Sequence, residues 1–181
     1  MTTETKPRPQ MDEVTLLRGW TLWNLKSLTD YQDAILRLTS EERKRDRGAS
    51  WGSIQNIFLH ILEDYIWWFE QVPIGGTDSS EDLVGRDFSD KELIGLVQRI
   101  HRSIHTIIDS LQSSDLGRPI EVRGVGGDGK PYKMTTCLAD IMWHMVEEQL
   151  QHIGELNALF WQMDIDPPTH AWFSSEVSHT F

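Results

Sequence analysis

Two histidines and two glutamates lie close together in the stretch HMVEEQLQH, which runs from His144 to His152. Imidazole nitrogens and carboxylate oxygens are ligands that bind divalent metals in proteins. Each residue of a helix turns by about 100°, so Glu148 and His152, four positions apart, lie on one side of a helix. Apolar residues surround both on that side, and we therefore expect the pair to face the core.

The other polar residues of this stretch are expected to point elsewhere. Glu147 and Gln151 fall on a different, mostly polar face, and His144 lies about 40° to the other side of Glu148, near the polar boundary. A carboxylate in a core is costly unless it is paired or binds a cation. Of the two adjacent glutamates, only Glu148 is a candidate ligand, and His144 is expected at the edge of a pocket.

A third candidate ligand comes from the segment SIQNIFLHILEDYIWWFEQV, which predicts a deeply packed helix. His60 lies on its inward face, and together with Glu148 and His152 it would form a site with two nitrogens and one oxygen. Such a site keeps open positions and suits Zn²⁺, Ni²⁺ or Fe²⁺. Asp64, one turn after His60, is either a further ligand or the acceptor that orients an imidazole.

The same residues also fit an interpretation without a metal. A histidine on an apolar face can be a hydrogen-bonded core residue, and a glutamate one turn away can simply pair with it. The sequence does not show that the two helices meet. Trp67 and Trp68 would rim a pocket beside a metal, together with His144.

Other chemistry-bearing residues are weaker candidates. His101 and His105 are four apart, but Arg99 and Arg102 beside them favour a solvated face. The single cysteine, Cys137, has no partner for a disulfide or a CxxC motif, and we expect a small buried residue.

Four long amphipathic segments must position these residues, and all four predict helices. Ser50 or Ser53 is a plausible N-cap for the second, and Ser89 with Glu92 forms a capping box for the third. The segments span roughly 11–46, 53–72, 89–112 and 137–163. A long loop follows the second segment, and two β-like runs, 120–125 and 130–134, flank a GGDG turn before the fourth. The expected class is all-α, a four-helix bundle with a short β-hairpin before its last helix.

Composition limits the classes of protein and partner. With 181 residues we expect one domain over 11–181, preceded by a polar, disordered tail over 1–10. Acidic residues number 28 and basic residues 17, and the net charge of −11 argues against nucleic-acid binding and anionic membranes. The lack of an apolar leader, a long apolar run and a second cysteine favours a cytoplasmic protein.

The last helix carries a second apolar stripe, which predicts a partner surface, most simply a homodimer. Its members are Met142, Val146, Leu150, Ile153 and Phe160.

These features resemble the DinB-like superfamily over about Met11 to Pro168. The likeness lies in FLHILEDYIWW around the second-helix histidine, in WHMVEEQLQHIGELNALFWQM, and in the PP that follows. The resemblance implies an up-down-down-up four-helix bundle, often dimeric, with a divalent metal held by His60, His152 and the middle position. That middle position is commonly histidine, but here it is Glu148, and Ile153 replaces a frequent arginine.

Two functions are expected from this resemblance. Relatives include thiol-dependent S-transferases, in which the metal lowers the pKa of a low-molecular-weight thiol, so an S-transferase, or a hydrolase that activates water, is the first expectation. The alternative is a metal-binding, stress-associated protein without turnover. A ferritin-like di-iron site is weaker, because it needs two Glu-x-x-His motifs.

Overall fold

The structure is a computed structural model, and it describes residues 11–74, 82–125 and 129–168. Within these residues the chain is mostly helical, with six α-helices and one antiparallel hairpin before the last helix. The elements are α1 (Glu13–Leu36), α2 (Ser40–Lys44), α3 (Ile54–Ile66), α4 (Asp90–Ser110), α5 (Ser113–Leu116), β1 (Pro119–Val125), β2 (Pro131–Cys137) and α6 (Leu138–Trp161). The predicted helical class with its hairpin is thus confirmed, and the predicted tail over 1–10 lies outside the described residues. None of the described helices has both the length and the apolar character that a membrane span requires.

Local capping explains where the helices begin. Ser53 caps α3 by accepting from the Asn56 N–H, and Ser89 forms the predicted capping box at the start of α4. The first predicted segment divides into α1 and α2, because Thr39 begins a new capping box of its own. Ser40, the next residue, is the first residue of α2.

The second predicted helix changes its winding before it ends. α3 is α-helical through Ile66, continues as a π-helical segment over Trp67–Gln71, and ends in a 3₁₀ turn over Val72–Ile74. A π-helix closes its hydrogen bonds over five residues rather than four. The side chains of this segment therefore point in directions that regular α-helical spacing does not predict.

The helices meet around one apolar core, and this packing positions the candidate ligands. α1 contacts both α4 and α6, and α3 contacts the same two helices. Buried side chains from all four join one cluster. The hairpin leans on this core, since β1 contacts the 3₁₀ turn after α3 and β2 contacts the start of α6. The contact between α3 and α6 brings His60 close to the ligands of α6.

A buried polar network ties α1, α3 and α6 together. Gln149 is only 1% exposed. Its side-chain amide donates to the Asn24 carbonyl at 2.8 Å and its oxygen accepts from the Tyr65 hydroxyl at 2.6 Å. The Asn24 amide in turn donates to the Met145 carbonyl at 3.3 Å. Burial in a core makes each of these hydrogen bonds costly to lose.

The second apolar stripe of α6 is mostly buried within the chain. Met142, Val146, Ile153 and Phe160 are buried within the chain itself, and only Leu150 is largely exposed. Most of the stripe therefore belongs to the core of a single chain and lends no support to the dimer prediction. The homodimer itself stays a prediction.

Candidate metal centre

The contact between α3 and α6 brings His60, Glu148 and His152 together. Glu148 Oε1 lies 3.2 Å from His60 Nε2 and 2.9 Å from His152 Nε2. One donor atom from each residue lies within 4.8 Å of the others, so this group could hold a metal ion. The neighbouring Glu147 and Gln151 are exposed, as the sequence predicted from their place on the helix.

His152 is held between two carboxylates. Its Nδ1 lies 2.7 Å from Glu155 Oε2, while its Nε2 faces Glu148. Glu155 is fixed in turn by Ser50, whose hydroxyl donates to Oε2 at 2.7 Å and whose backbone N–H donates to Oε1 at 3.4 Å. Metal-binding histidines commonly donate their second N–H to a carboxylate, which sets the tautomer and the orientation of the ring.

The donor set fits a cation. A neutral imidazole carries one N–H, so His152 cannot donate to both Glu148 and Glu155. If Nδ1–H donates to Glu155, the lone pair of Nε2 faces the Glu148 carboxylate, which is favourable only with a proton or a metal between them. His60 and His152 stand with ring planes at 88° and centroids 4.8 Å apart, so both Nε2 atoms approach one oxygen from different directions.

The carboxylates of Glu148 and Glu155 are expected to be ionised. Burial raises the pKa of Glu148, but its contacts with the His60 and His152 rings outweigh burial and bring the pKa below its usual value. For Glu155 burial likewise raises the pKa, and hydrogen bonds from Ser50 and His152 outweigh it. Both side chains can therefore provide negative charge beside a metal at neutral pH.

Asp64 adds a third carboxylate near the predicted ligands. Its Oδ2 lies 3.2 Å from His60 Nε2, the same nitrogen that faces Glu148. Burial, followed by the charges of Glu148 and Glu63, raises the pKa of Asp64 to about 8. Burial is thus the main cause of the raised pKa and the neighbouring carboxylates add to it, and a cation bound beside Asp64 would favour its charged form.

His60 forms the link between the metal group and an open cleft. Burial is the main cause that lowers its pKa, which favours the neutral ring that a metal requires. Trp51 packs against the His60 ring with centroids 4.2 Å apart and planes 31° from parallel. Both residues line a cleft of about 680 Å³, together with Asp64 and Trp67. The cleft therefore reaches the metal group at His60.

Trp68 and His144 lie elsewhere. Their rings pack edge to face with centroids 5.3 Å apart, and neither is among the described residues that line the cleft. Of the residues expected at the pocket, Trp67 and Asp64 line it. His101 contacts Thr29 at 3.1 Å, far along the chain from the metal group, and Cys137 is half-buried just before α6.

Comparisons with known protein families find no family that matches the chain, and a search of curated proteins finds no similar sequence.

Replacing Glu155 with glutamine is expected to lower the affinity for a divalent metal by about tenfold, because His152 then loses its anionic acceptor. The dissociation constant can be measured by competition with a chromophoric chelator. Glu147→Gln, which removes an exposed carboxylate from the same helix, should leave the constant unchanged. Equal constants for Glu155→Gln and the wild type would show that Glu155 does not support the site.

Proposed function

We propose that the protein is a divalent-metal-dependent enzyme that transfers, or otherwise reacts, a low-molecular-weight thiol, in the manner of a detoxification S-transferase. One observation carries the proposal. His60, Glu148 and His152 converge within 4.8 Å, and His60 also lines an open cleft. A site with three ligands and an accessible side is the arrangement of catalytic rather than structural metal centres.

The proposal includes a DinB-like four-helix bundle. It is supported by four long helices that contact one another, by the hairpin before α6, and by candidate ligands on α3 and α6. The resemblance noted from the sequence lies in the motif around His60, in the motif that contains Glu148 and His152, and in the PP that follows it. Its one departure at a ligand position is the carboxylate of Glu148, which keeps the i, i+4 spacing to His152.

The chemistry divides between the bound ion and the chain. A divalent metal at this site would lower the pKa of a thiol or a water molecule that reaches it, giving a nucleophile at neutral pH. Glu148 would neutralise part of the charge of such an ion. Glu155 holds the His152 ring with Nε2 directed at the site, and Trp51 covers one face of the His60 ring.

The donor set is compatible with several divalent metals rather than with one. Zn²⁺, Ni²⁺ and Fe²⁺ all bind to sites made of two imidazoles and one carboxylate, and relative affinity alone does not decide among them. The alternative function, a metal-binding protein without turnover, is favoured by the position of Asp64. Its Oδ2, at 3.2 Å from His60 Nε2, is near enough to close the site by acting as a fourth ligand.

Purified protein loaded with Co²⁺ is expected to bind one ion per chain and to develop a sulfur-to-cobalt charge-transfer band when a small thiol is added. A stoichiometric ion with no such band would favour the closed, non-catalytic protein. Absence of stoichiometric metal by elemental analysis, after loading with Zn²⁺, Ni²⁺, Fe²⁺ and Co²⁺ in turn, would contradict both functions.

A further inference from the structure

We propose that the cleft beside the metal centre selects organic cations: molecules that carry an ammonium or quaternary ammonium group on a small apolar or aromatic body. The inference deepens the proposed function, on which it rests for the reaction itself, because it names the substrate class of the same site. It is carried by the walls of the cleft rather than by the metal ligands.

The charges around the cleft have one sign. Glu63, Asp64 and Asp82 line it, and none of the described lining residues is Lys or Arg. Glu148 and Asp64 lie nearest to a metal and would be neutralised by it, which leaves Glu63 and Asp82 for the ligand. An anionic thiol would therefore meet uncompensated repulsion, whereas a cationic one would be attracted.

The hairpin places its basic residues on the face away from the cleft. Gly124 and Tyr132 are register partners and both line the cleft. Arg123 and Lys133 are the next pair along and point to the opposite face, because side chains alternate along a strand. There both pair with Glu121. Neither Arg123 nor Lys133 is among the described residues that line the cleft, although Val125, at the end of the same strand, is.

Aromatic rings form much of the remaining wall. Trp51, Trp67 and Tyr132 line the cleft together with the carboxylates. The Tyr132 ring lies directly over Gly124, where a Cβ would meet three of its atoms at 2.8 to 2.9 Å. Glycine at this position thus lets the ring lie flat against the strand. Rings and carboxylates together recognise ammonium groups, since the ring faces attract a cation while the apolar body packs on them.

Glu63 holds one wall of the cleft in place. Its Oε1 accepts the backbone N–H groups of Leu83 and Val84, the latter at 2.9 Å. These contacts hold the segment that carries Asp82 against α3. Glu63→Gln preserves an acceptor oxygen for both N–H groups and removes only the charge, and Asp82 is exposed, so both substitutions are expected to leave the fold intact.

The first test compares three small thiols on the Co²⁺-loaded full chain: cysteamine, 2-mercaptoethanol and 3-mercaptopropionate, which differ chiefly in the charge of one end. Their thiols differ in acidity, so the readout is the change in relative affinity between wild type and variant. Glu63→Gln and Asp82→Asn are each expected to lower the preference for cysteamine over 2-mercaptoethanol by about threefold to fivefold. Glu147→Gln should leave this preference at the wild-type value.

The second test needs neither metal nor thiol. Benzyltrimethylammonium is expected to bind the chelator-treated full chain more tightly than benzyl alcohol, as measured by titration calorimetry, and Asp82→Asn should weaken it. Unchanged thiol preferences in both variants, or a quaternary ammonium that binds no better than the alcohol, would overturn the inference and leave the proposed function standing. If no thiol gives a charge-transfer band but the ammonium binds as expected, the proposed function fails and the inference holds.

Discussion

Glu148→Ala is expected to lower the affinity of the protein for its divalent metal by at least about 100-fold, an effect at the upper end of those seen for the partners that support metal ligands. The Glu148 carboxylate is the anionic member of the group, and one of its oxygens lies within 3.2 Å of both His60 and His152. Removing it leaves two imidazoles, with Asp64 near only one of them. Calorimetric titration with Zn²⁺ and elemental analysis after dialysis would measure the loss.

The matched control is Glu147→Ala, one position earlier on α6. Glu147 is exposed, so its removal changes the net charge by the same amount but touches no ligand. We expect the metal content and affinity of this variant to equal those of the wild type. Equal losses in the two variants would mean that total charge, rather than coordination by Glu148, determines metal binding.

Gln149→Ala, one position later, is expected to act on the fold instead. The substitution removes the partner of the buried Tyr65 hydroxyl and the donor to the Asn24 carbonyl, and it leaves a cavity at a position only 1% exposed. Unsatisfied buried groups and cavities together predict a loss of about 2 to 4 kcal/mol in the free energy of unfolding. Urea denaturation followed by circular dichroism would measure it.

Two further variants separate the causes of this loss. Gln151→Ala removes an exposed amide from the same helix and should change stability by less than about 0.5 kcal/mol. Tyr65→Phe removes the hydroxyl that Gln149 accepts, so the double variant should cost less than the sum of the two single changes. Strict additivity would contradict a direct coupling between these side chains.

Residues 147 to 149 also show how far sequence reasoning reaches. The direction of Glu147, Glu148 and His152 follows from about 100° of turn per residue and from the apolar residues around them. The same arithmetic places Gln149 within about 40° of Met142, Met145, Ile153 and Leu156, all of which are buried. Its place in the core was therefore available from the pattern, and the sequence reasoning missed it by weighing only ionisable residues.

The other features of the site cannot be predicted from helical periodicity alone. Contact between α3 and α6 is tertiary, and no local pattern indicates which faces of two helices will meet. Ser50 and Trp51 come from the short segment before α3, where turn geometry rather than helical spacing sets side-chain direction. Glu155 follows His152 by three positions, and this spacing could have marked it as an acceptor for the ring.

The two adjacent tryptophans after Ile66 face different ways, as neighbouring residues of any helix do. Trp67 lines the cleft, whereas Trp68 packs against His144. Sequence reasoning placed both at the rim, because it continued α-helical spacing to Val72. No simple pattern in the amino-acid sequence indicates a change of winding at the end of a helix.

The segment that carries Ser50 and Trp51 has a mechanical consequence. Ser50 holds the carboxylate behind His152 on α6, and Trp51 lies against His60 on α3. Two consecutive residues thus connect ligands that are far apart along the chain. Separating α3 from α6 would disturb both contacts at once, so this segment helps to keep the ligands of the two helices together.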